Sequence, residues 1–558
     1  MRILLVAVNS KYIHTSLSVR TLSANAGGLD FIELTINEDI TELLSAVYER
    51  RPDVICFSCY VWNIEYILKA ASSLKSMLPE ALIVFGGPEV SFCAGEILQR
   101  HEFVDAVIRG EGEETVAALA GNGFKFDGVR GVTYRGKNII ENPDAPPVQD
   151  LDSLVFPYTD EDLAENSRKL IYYESSRGCP YRCSYCLSST EHSVRYKSVG
   201  KVKAELGRII AAKPQTVKFT DRTFNSDAKR GAQLLLYMLE NGQGITFHFE
   251  LAAHTLTEEF MEIAARAPEG MFRFEIGLQS TNHDTLKAIK RSTELARLFK
   301  NVSRLTSMKN IHVHLDLIAG LPFEDYKSFG KSFNDAVGLR PTVLQLGFLK
   351  LLRGTDARAE AFRHGYKYRS YPPYEVIENA YISCGELLKL KRIEAVFDMY
   401  YNSGAFKKSV LYLERLCGNS FRLFELLAEQ FENKRLFSVQ LSRSALYEKL
   451  CEFAVSLGAE DLFFDLLKAD YLTSNKNAVT PSWSLRPYNT ELHKKRTEII
   501  EGDNRELFSC FGDMPVRDIL KRVHFEEFSY RVHDDCSFKR CVLAFSKSGD
   551  LLGEIIGY

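Results

Sequence analysis

The sequence predicts an α/β protein with a mostly helical C-terminal third, and three observations carry that reading. Residues 1–120 alternate short apolar runs with stretches whose apolar positions recur at helical spacing. Residues 169–355 do so again. Beyond about residue 372 helical patterning takes over, until a strand-like tail at 531–556. Apolar strands separated by amphipathic helices imply parallel sheet covered by helices.

In the first stretch residues 3–8, 31–36, 53–58, 81–85 and 106–108 read as strands, and 40–50 and 64–78 as helices. A doubly wound domain is expected over 1–128. Ligands of such sheets sit outside the carboxyl ends of the strands. Those ends carry Ser58-Cys59-Tyr60, Gly86-Gly87-Pro88-Glu89 and Gly110-Glu111-Gly112-Glu113, where glycine lets backbone approach a large ligand. Residues 131–140 read as a hairpin turning at Gly136, and the polar, proline-bearing 141–158 as a linker. This sets 129–168 apart. In a second domain, 169–371, the strands are expected at 169–173, 217–220, 246–251, 273–277, 312–318 and 343–349. Helices are expected at 374–390 and 421–457 of a C-terminal domain, 372–558.

A chain of 558 residues exceeds one ordinary domain. With 70 Lys and Arg against 73 Asp and Glu, nothing suggests a nucleic-acid partner. The apolar N-terminus is too short to span a membrane and reads as a buried strand, not a signal peptide. The twelve cysteines are scattered, apart from Cys56/Cys59 and one triplet, as in a reduced protein. The expectation is a soluble, cytoplasmic protein without a membrane partner.

The triplet is the most informative feature. Cys179, Cys183 and Cys186 stand in Ser-Ser-Arg-Gly-Cys-Pro-Tyr-Arg-Cys-Ser-Tyr-Cys-Leu, just after the strand at 169–173. Three thiolates on one loop can hold three irons of a cubane cluster and leave the fourth iron open, whereas such clusters usually take four cysteines. The competing assignments are three buried thiols or a zinc knuckle. The latter closes with a fourth Cys or His at short spacing, and none follows until His192.

At these residues, with Tyr185 before the last cysteine, the sequence resembles the radical S-adenosylmethionine (SAM) enzymes. The resemblance implies a [4Fe-4S] cluster on Cys179, Cys183 and Cys186, SAM chelated to the open iron, and a (β/α)6 partial TIM barrel. Polar strand ends follow in the matching order: Thr220-Asp221, Glu250, Glu275 to Ser280, and Asp316 to Pro322. On that resemblance Glu250 would receive the SAM ammonium, Gln279 and Asp316 the ribose hydroxyls, and backbone around Gly320 the adenine. The usual Gly-Gly-Glu after the second strand is replaced by Thr220-Asp221-Arg222. Taken singly, each carboxylate also reads as a solvated charge. Glu275 is equally a partner for Arg222 or Arg273.

The runs Asp53-Val-Ile-Cys-Phe-Ser-Cys-Tyr, Val84-Phe-Gly-Gly-Pro-Glu and Val107-Ile-Arg-Gly-Glu-Gly-Glu-Glu resemble the cobalamin-binding domain fused to class B radical SAM enzymes. This implies cobalamin held near Ser58, Tyr60, Gly86, Gly87, Gly110 and Glu111. The Asp-x-His-x-x-Gly motif that ligates cobalt is missing. His14 and His101 lie in other contexts, so the lower face would meet a group near 58–62 or water. Strand geometry puts Cys56 and Cys59 on opposite faces, against a shared metal. A second cluster that includes Cys93 is a further competing assignment, as is a domain that has lost its ligand.

Lys350-Leu-Leu-Arg-Gly-Thr-Asp and Asp398-Met-Tyr-Tyr-Asn-Ser-Gly resemble elements of a subfamily with an appended helical domain of unassigned role. Lys350, Arg353, Tyr400 and Tyr401 are candidates to face the substrate, and equally packing or surface groups. The resemblance implies reductive SAM cleavage to a 5′-deoxyadenosyl radical and methyl transfer to an unactivated carbon. Alternatives are cobalamin-assisted cyclisation or rearrangement, a radical SAM enzyme without cobalamin, and a non-catalytic SAM or redox sensor. It also implies an organic substrate and a one-electron reductant such as flavodoxin or ferredoxin. No residue is assigned a catalytic role.

Overall fold

The structure is a computed structural model that describes residues 1–190, 193–476, 481, 483–484 and 489–556; His192 lies outside them. It divides into two compact units, Met1–Leu387 and Leu388–Tyr558. Residues 372–387 therefore belong with the first unit.

The first unit opens with β1 (Ile3–Asn9), α1 (Leu17–Asn25), β2 (Asp30–Thr35), α2 (Ile40–Arg50), β3 (Val54–Ser58), α3 (Ile64–Met77) and β4 (Leu82–Gly86). There follow α4 (Pro88–Ser91), α5 (Ala94–Arg100), β5 (Ala106–Ile108), α6 (Glu113–Asn122), β6 (Val132–Arg135) and β7 (Ile139–Glu141). The sheet runs β2-β1-β3-β4-β5-β6-β7, parallel through β5 and antiparallel beyond. Its five parallel strands are apolar because helices cover both faces. Val6, Phe57 and Phe85 pack with α2 and α3, while Leu5, Cys56 and Val84 pack with Val116 and Leu119 of α6. Strand order reverses between β1 and β3, which opens a crevice at their carboxyl ends.

After α7 (Asp160–Glu165) come β8 (Leu170–Tyr173), the short β9 (Ser176–Arg177) and β10 (Arg195–Tyr196), α8 (Val199–Ala211), β11 (Thr216–Phe219), α9 (Ala228–Asn241) and β12 (Thr246–Leu251). The chain continues through α10 (Glu258–Ala265), β13 (Phe272–Gln279), α11 (His283–Ala288), α12 (Leu295–Ser307), β14 (His312–Ala319), α13 (Tyr326–Gly338) and β15 (Val343–Phe348). Six parallel strands, β8-β11-β12-β13-β14-β15, form the sheet. Burial alternates along them. Val217, Phe247, Phe274 and Leu315 are fully buried, whereas Lys218, His248, Glu275 and His314 on the other face are half-buried. Because side chains alternate with period two, one face meets the helices and the other lines an open, polar interior.

A short α14 (Asp356–Ala359), β16 (Lys367–Tyr368) and β17 (Val376–Glu378) complete this unit, and α15 (Cys384–Phe397) leads out of it. The helix expected from 374 starts ten residues later. Tyr374 lies in the left-handed region at φ 59°, and β17 pairs antiparallel with β16 instead.

The second unit contains α16 (Lys407–Leu416), α17 (Ser420–Asn433), α18 (Arg443–Ser456), α19 (Asp461–Ser474), α20 (Thr490–Lys494), α21 (Arg496–Glu501), α22 (Val516–Leu520), β18 (Val523–Tyr530), β19 (Phe538–Ser546) and β20 (Leu551–Glu554). The single helix expected at 421–457 is two. Arg435 turns left-handed at φ 55°, and Ser442 caps the next start by accepting from Ala445 N–H. The strands begin at 523, earlier than the sequence suggests, in an antiparallel sheet. Tyr400 is buried with its hydroxyl on Leu446 O, and Tyr401 stacks on Phe397 at 4.7 Å. Both are packing residues. Among the described residues no helix is long and apolar enough to cross a membrane.

Candidate functional site

The cysteine loop, residues 178–194, leaves and returns through a neck. There β9 and β10 pair antiparallel, with Arg177 opposite Arg195. Barrel residues fasten its start. The fully buried Asp221 carboxylate accepts from Ser175 N–H at 2.8 Å and from Ser176 Oγ at 2.7 Å. Within the loop Cys179 Sγ lies 3.5 Å from Thr223 Oγ1, and Arg291 Nη1 donates to Cys183 Sγ at 3.6 Å. Burial pushes the Cys179 thiol up and, more strongly, the Tyr185 phenol.

Thiolates are the donors that iron–sulfur clusters take, and the Arg291 guanidinium lies beside Cys183 Sγ. A lone zinc ion would need its ligands about 2.0–2.3 Å from one point. Among the described residues no group of three His, Cys, Asp or Glu converges that way. Three cysteine sulfurs on one loop are the donor type that an iron–sulfur cluster takes.

Tyr185, Glu275, Gln279, Asp316 and Lys350 border a cavity of about 320 Å³ at the carboxyl ends of β13–β15. Gln279 sits at φ 70°, left-handed for a non-glycine, which marks a strained site residue. Gly277 makes room for it: a Cβ there would fall 2.3 Å from Gln279 Nε2. Gln279 Oε1 is a buried acceptor with no hydrogen-bond partner, and Asp316 Oδ1 lies 3.1 Å from His314 Nε2. An unpaired amide oxygen beside a carboxylate on one cavity suits a ligand with adjacent hydroxyls. Gly320, at φ 88°, borders neither this cavity nor the next; Asn379 Nδ2 holds its carbonyl at 2.9 Å.

Glu250 borders a second cavity, of about 590 Å³, with Lys218, Arg222, Tyr172 and His14. Burial, with the neighbouring Glu275 and Asp316 charges, pushes its carboxyl up to about 7 against the pull of Arg222. Glu275 pairs with neither Arg222 nor Arg273. Its Oε2 lies 2.9 Å from His248 Nε2 and 3.2 Å from Lys218 Nζ. Burial opposes its ionisation, but those two neighbours hold it at about 2. Lys218, His248 and His314 are site residues that sequence reading missed. The signal was available, since each lies two residues, or one register step, from a polar strand end on the inward face.

In the N-terminal sheet a cavity of about 380 Å³ is bordered by Ser58, Tyr60, Gly86, Gly87, Gly110 and Glu111. Leu5, Val84 and Ile108 give it an apolar wall. A Cβ on Gly87 would fall 2.6 Å from Cys59 O, and its φ of 105° excludes other residues. The cradle fits a large, partly apolar cofactor. Ser58 Oγ meets Ser18 Oγ at 3.0 Å, and Tyr60 stacks on Trp62 at 4.3 Å. Neither His14 nor His101 borders this cavity; His14 Nδ1 lies 2.5 Å from Tyr172 Oη. Cys59 and Cys93 share one core and Cys56 the other, and burial pushes the Cys56 thiol to about 12 and the Cys93 thiol to about 11. They are packing thiols. Arg353 turns from the barrel mouth to Tyr374 Oη and Glu96 Oε2, each at 3.1 Å.

Ser18, Tyr60, Glu113, Glu174 and Arg177 border both the 380 Å³ and the 590 Å³ cavities, so the two are contiguous.

Three family models match the chain: a B12 binding domain over residues 3–120, the Radical SAM superfamily over 173–336, and a protein of unknown function, DUF4080, over 362–543. The cobalamin-dependent radical SAM methyltransferase TokK of Streptomyces tokunonensis is 28% identical over 334 residues, 56% of this chain and 48% of that protein. The 2-(S-pantetheinyl)-carbapenam-3-carboxylate methyltransferase of Streptantibioticus cattleyicolor is 26% identical over 338 residues, again 56% and 48%. The chain thus spans about half the length of these curated relatives. The solved structure of the cobalamin-dependent SAM radical enzyme OxsB, with aqua-cobalamin and SAM bound, shares the fold. The TM-score is 0.58 at 15% identity, over 93% of this chain and 83% of that one.

Proposed function

We propose that this chain, in which a B12-binding domain precedes a radical SAM domain and a DUF4080 domain, is a cobalamin-dependent radical SAM methyltransferase acting on an unactivated carbon. The contiguity of the two cavities carries the reading. A substrate between Tyr60 on one side and Lys218 and Glu250 on the other would occupy space continuous with the N-terminal cavity. Cys179, Cys183 and Cys186 would hold the [4Fe-4S] cluster. Tyr185, Glu250, Gln279 and Asp316 would hold SAM, and Ser58, Tyr60, Gly86, Gly87, Gly110 and Glu111 would border cobalamin. Together these groups supply an oxidising carbon radical and a transferable methyl.

The chain's own residues orient and insulate. Gln279 Oε1 and the Asp316 carboxylate would accept hydrogen bonds from ligand hydroxyls, while Glu250 would face a cation. Phe247, Phe249, Phe272 and Phe274 close the outer face of the barrel wall against water. His14 and Tyr172 line the same 590 Å³ space. A one-electron reductant such as flavodoxin or ferredoxin, an organic substrate and a cytoplasmic setting complete the proposal.

The test is anaerobic expression with cobalamin supplied, then cobalt and corrinoid per chain by absorbance and mass spectrometry. Near one corrinoid per chain, with 5′-deoxyadenosine and S-adenosylhomocysteine both formed under reductant, is expected. An intact cluster without any corrinoid defeats methyl transfer.

A further inference from the structure

The carboxylate of Glu111 does more than border the N-terminal cavity. It belongs to the loop after β5, yet its oxygens are spent on the neck of the cysteine loop. Glu111 Oε2 forms an ion pair with Arg177 Nη1 at 3.1 Å and accepts from Arg195 Nη1 at 3.1 Å, and Arg195 Nη2 donates to Oε1. Val148 N–H adds a bond at 2.8 Å. The two arginines face one another across the two-residue ribbon through which the loop passes. One carboxylate therefore staples both strands of the neck. Arg177 also reaches Glu113 of the same glycine-bearing loop and Glu174 at 2.9 Å. Glu111, Glu113, Glu174 and Arg177 all form wall of the 380 Å³ cavity, so whatever fills it presses on the staple.

We propose that Glu111 is a positioning residue that couples occupancy of the N-terminal cavity to the geometry of the cysteine loop. The barrel side of the loop is held by Asp221, Thr223 and Arg291. The N-terminal domain acts on it through the carboxylates of one loop, between Gly110 at φ 76° and Gly112, whose Cβ would meet a Leu22 methyl at 3.0 Å. Such a loop fits its backbone to a ligand and carries Glu111 with it. By linkage, a ligand that tightens the neck retains the loop's metal, and metal in the loop tightens that ligand by the same factor. Charged, buried bonds to two arginines make the staple stiff enough to transmit this.

This inference rests on the proposal that the cavity takes cobalamin and the loop takes iron. The experiment uses the full chain, reconstituted with iron and sulfide, with and without hydroxocobalamin. It measures iron retained after timed exposure to a chelator, by elemental analysis, and bound corrinoid by absorbance. Wild type is expected to lose iron at least about fivefold more slowly when corrinoid is bound, the lower range of measured couplings. Arg195, which borders neither cavity, is the bidentate partner of Glu111, and Arg195→Gln removes the charge from that side of the staple. It is expected to bind corrinoid and yet show a ratio near one, with Arg195→Lys restoring part of the protection. A residue that merely props the fold would shift both rates and leave their ratio intact. Corrinoid binding with equal iron loss in wild type, or with protection retained in Arg195→Gln, overturns the coupling alone. Failure of wild type to bind corrinoid overturns the reading beneath it as well.

Discussion

Arg222 Nη1 stands 3.7 Å from Glu250 Oε1, too far for a hydrogen bond, so the pair leaves the Glu250 carboxyl at about 7. Its ordinary value is 4.5, and burial is the main cause of the rise. If Glu250 receives the SAM ammonium, SAM binding strengthens as pH rises through about 7 and Glu250 ionises. Glu250→Gln should bind more weakly and lose the acid limb. Equilibrium dialysis of labelled SAM from pH 6 to 9 decides it; an unchanged acid limb in the variant removes Glu250 from the site. For the ligand-free fold the sign is opposite. A raised carboxyl contributes stability that is full below 4.5 and is lost as pH rises through about 7.

Gln279 and Asp316 should contribute through acceptors: Gln279 Oε1 is buried without a partner, and Asp316, with His314 Nε2 3.1 Å from its Oδ1, borders the same cavity. A hydrogen bond to a charged group is worth about 1.5–3 kcal/mol. Asp316→Ala is therefore expected to weaken SAM binding by about ten- to a hundredfold. Asp316→Asn should recover part of it through the remaining oxygen. Uncoupled 5′-deoxyadenosine formation should fall in the same order at fixed SAM. Affinity unchanged in Asp316→Ala would place the ribose elsewhere.

How much of this was legible follows from what the chain writes locally. Burial wrote the sheets: the continuously apolar runs at 54–58 and 106–108, and the alternating barrel strands with polar ends at Glu250 and Asp316, needed no tertiary knowledge. Backbone reversals were harder to see. Tyr374 and Arg435 adopt φ 59° and 55° though neither is a glycine, so the helical patterning ran straight through them. Pairing was least legible. Glu275 with His248, Asp221 with Ser175, and Glu111 with Arg195 join residues 27, 46 and 84 positions apart, and charge alone offers many equivalent partners. The missed His248 and His314 are ordinary polar residues until the barrel is known to be open and its interior wet.

Gly87 should be irreplaceable where Gly95 is not. At Gly87 a Cβ would meet Cys59 O at 2.6 Å with φ at 105°; at Gly95 nothing lies within 4 Å. Backbone held in a glycine-only region costs about 1–3 kcal/mol for other residues. Gly87→Ala is expected to lower the thermal midpoint of the ligand-free chain and to abolish corrinoid binding. Gly95→Ala, inside α5, should be neutral or slightly stabilising. Calorimetry and corrinoid absorbance on the two variants check this, and equal behaviour would mean that the cavity wall yields.

Cys183 offers the sharpest separation of fold from cofactor. Its sulfur is buried, in a residue 5% exposed, with Arg291 Nη1 at 3.6 Å, and Arg291 keeps its bond to Gly277 O without it. Cys183→Ala removes one small atom and leaves the neck and the Asp221 anchors untouched. Its cost to the fold should be about 1–2 kcal/mol, whereas the loss of one of three thiolates should empty the loop of iron and sulfide. Cys417→Ala, in the second unit, serves as the control and should keep its full metal content. Iron, sulfide and visible absorbance after anaerobic reconstitution read the outcome. A Cys183→Ala protein with a full cluster would show that the triplet is not the iron site, and the radical chemistry proposed for the barrel mouth would fall with it.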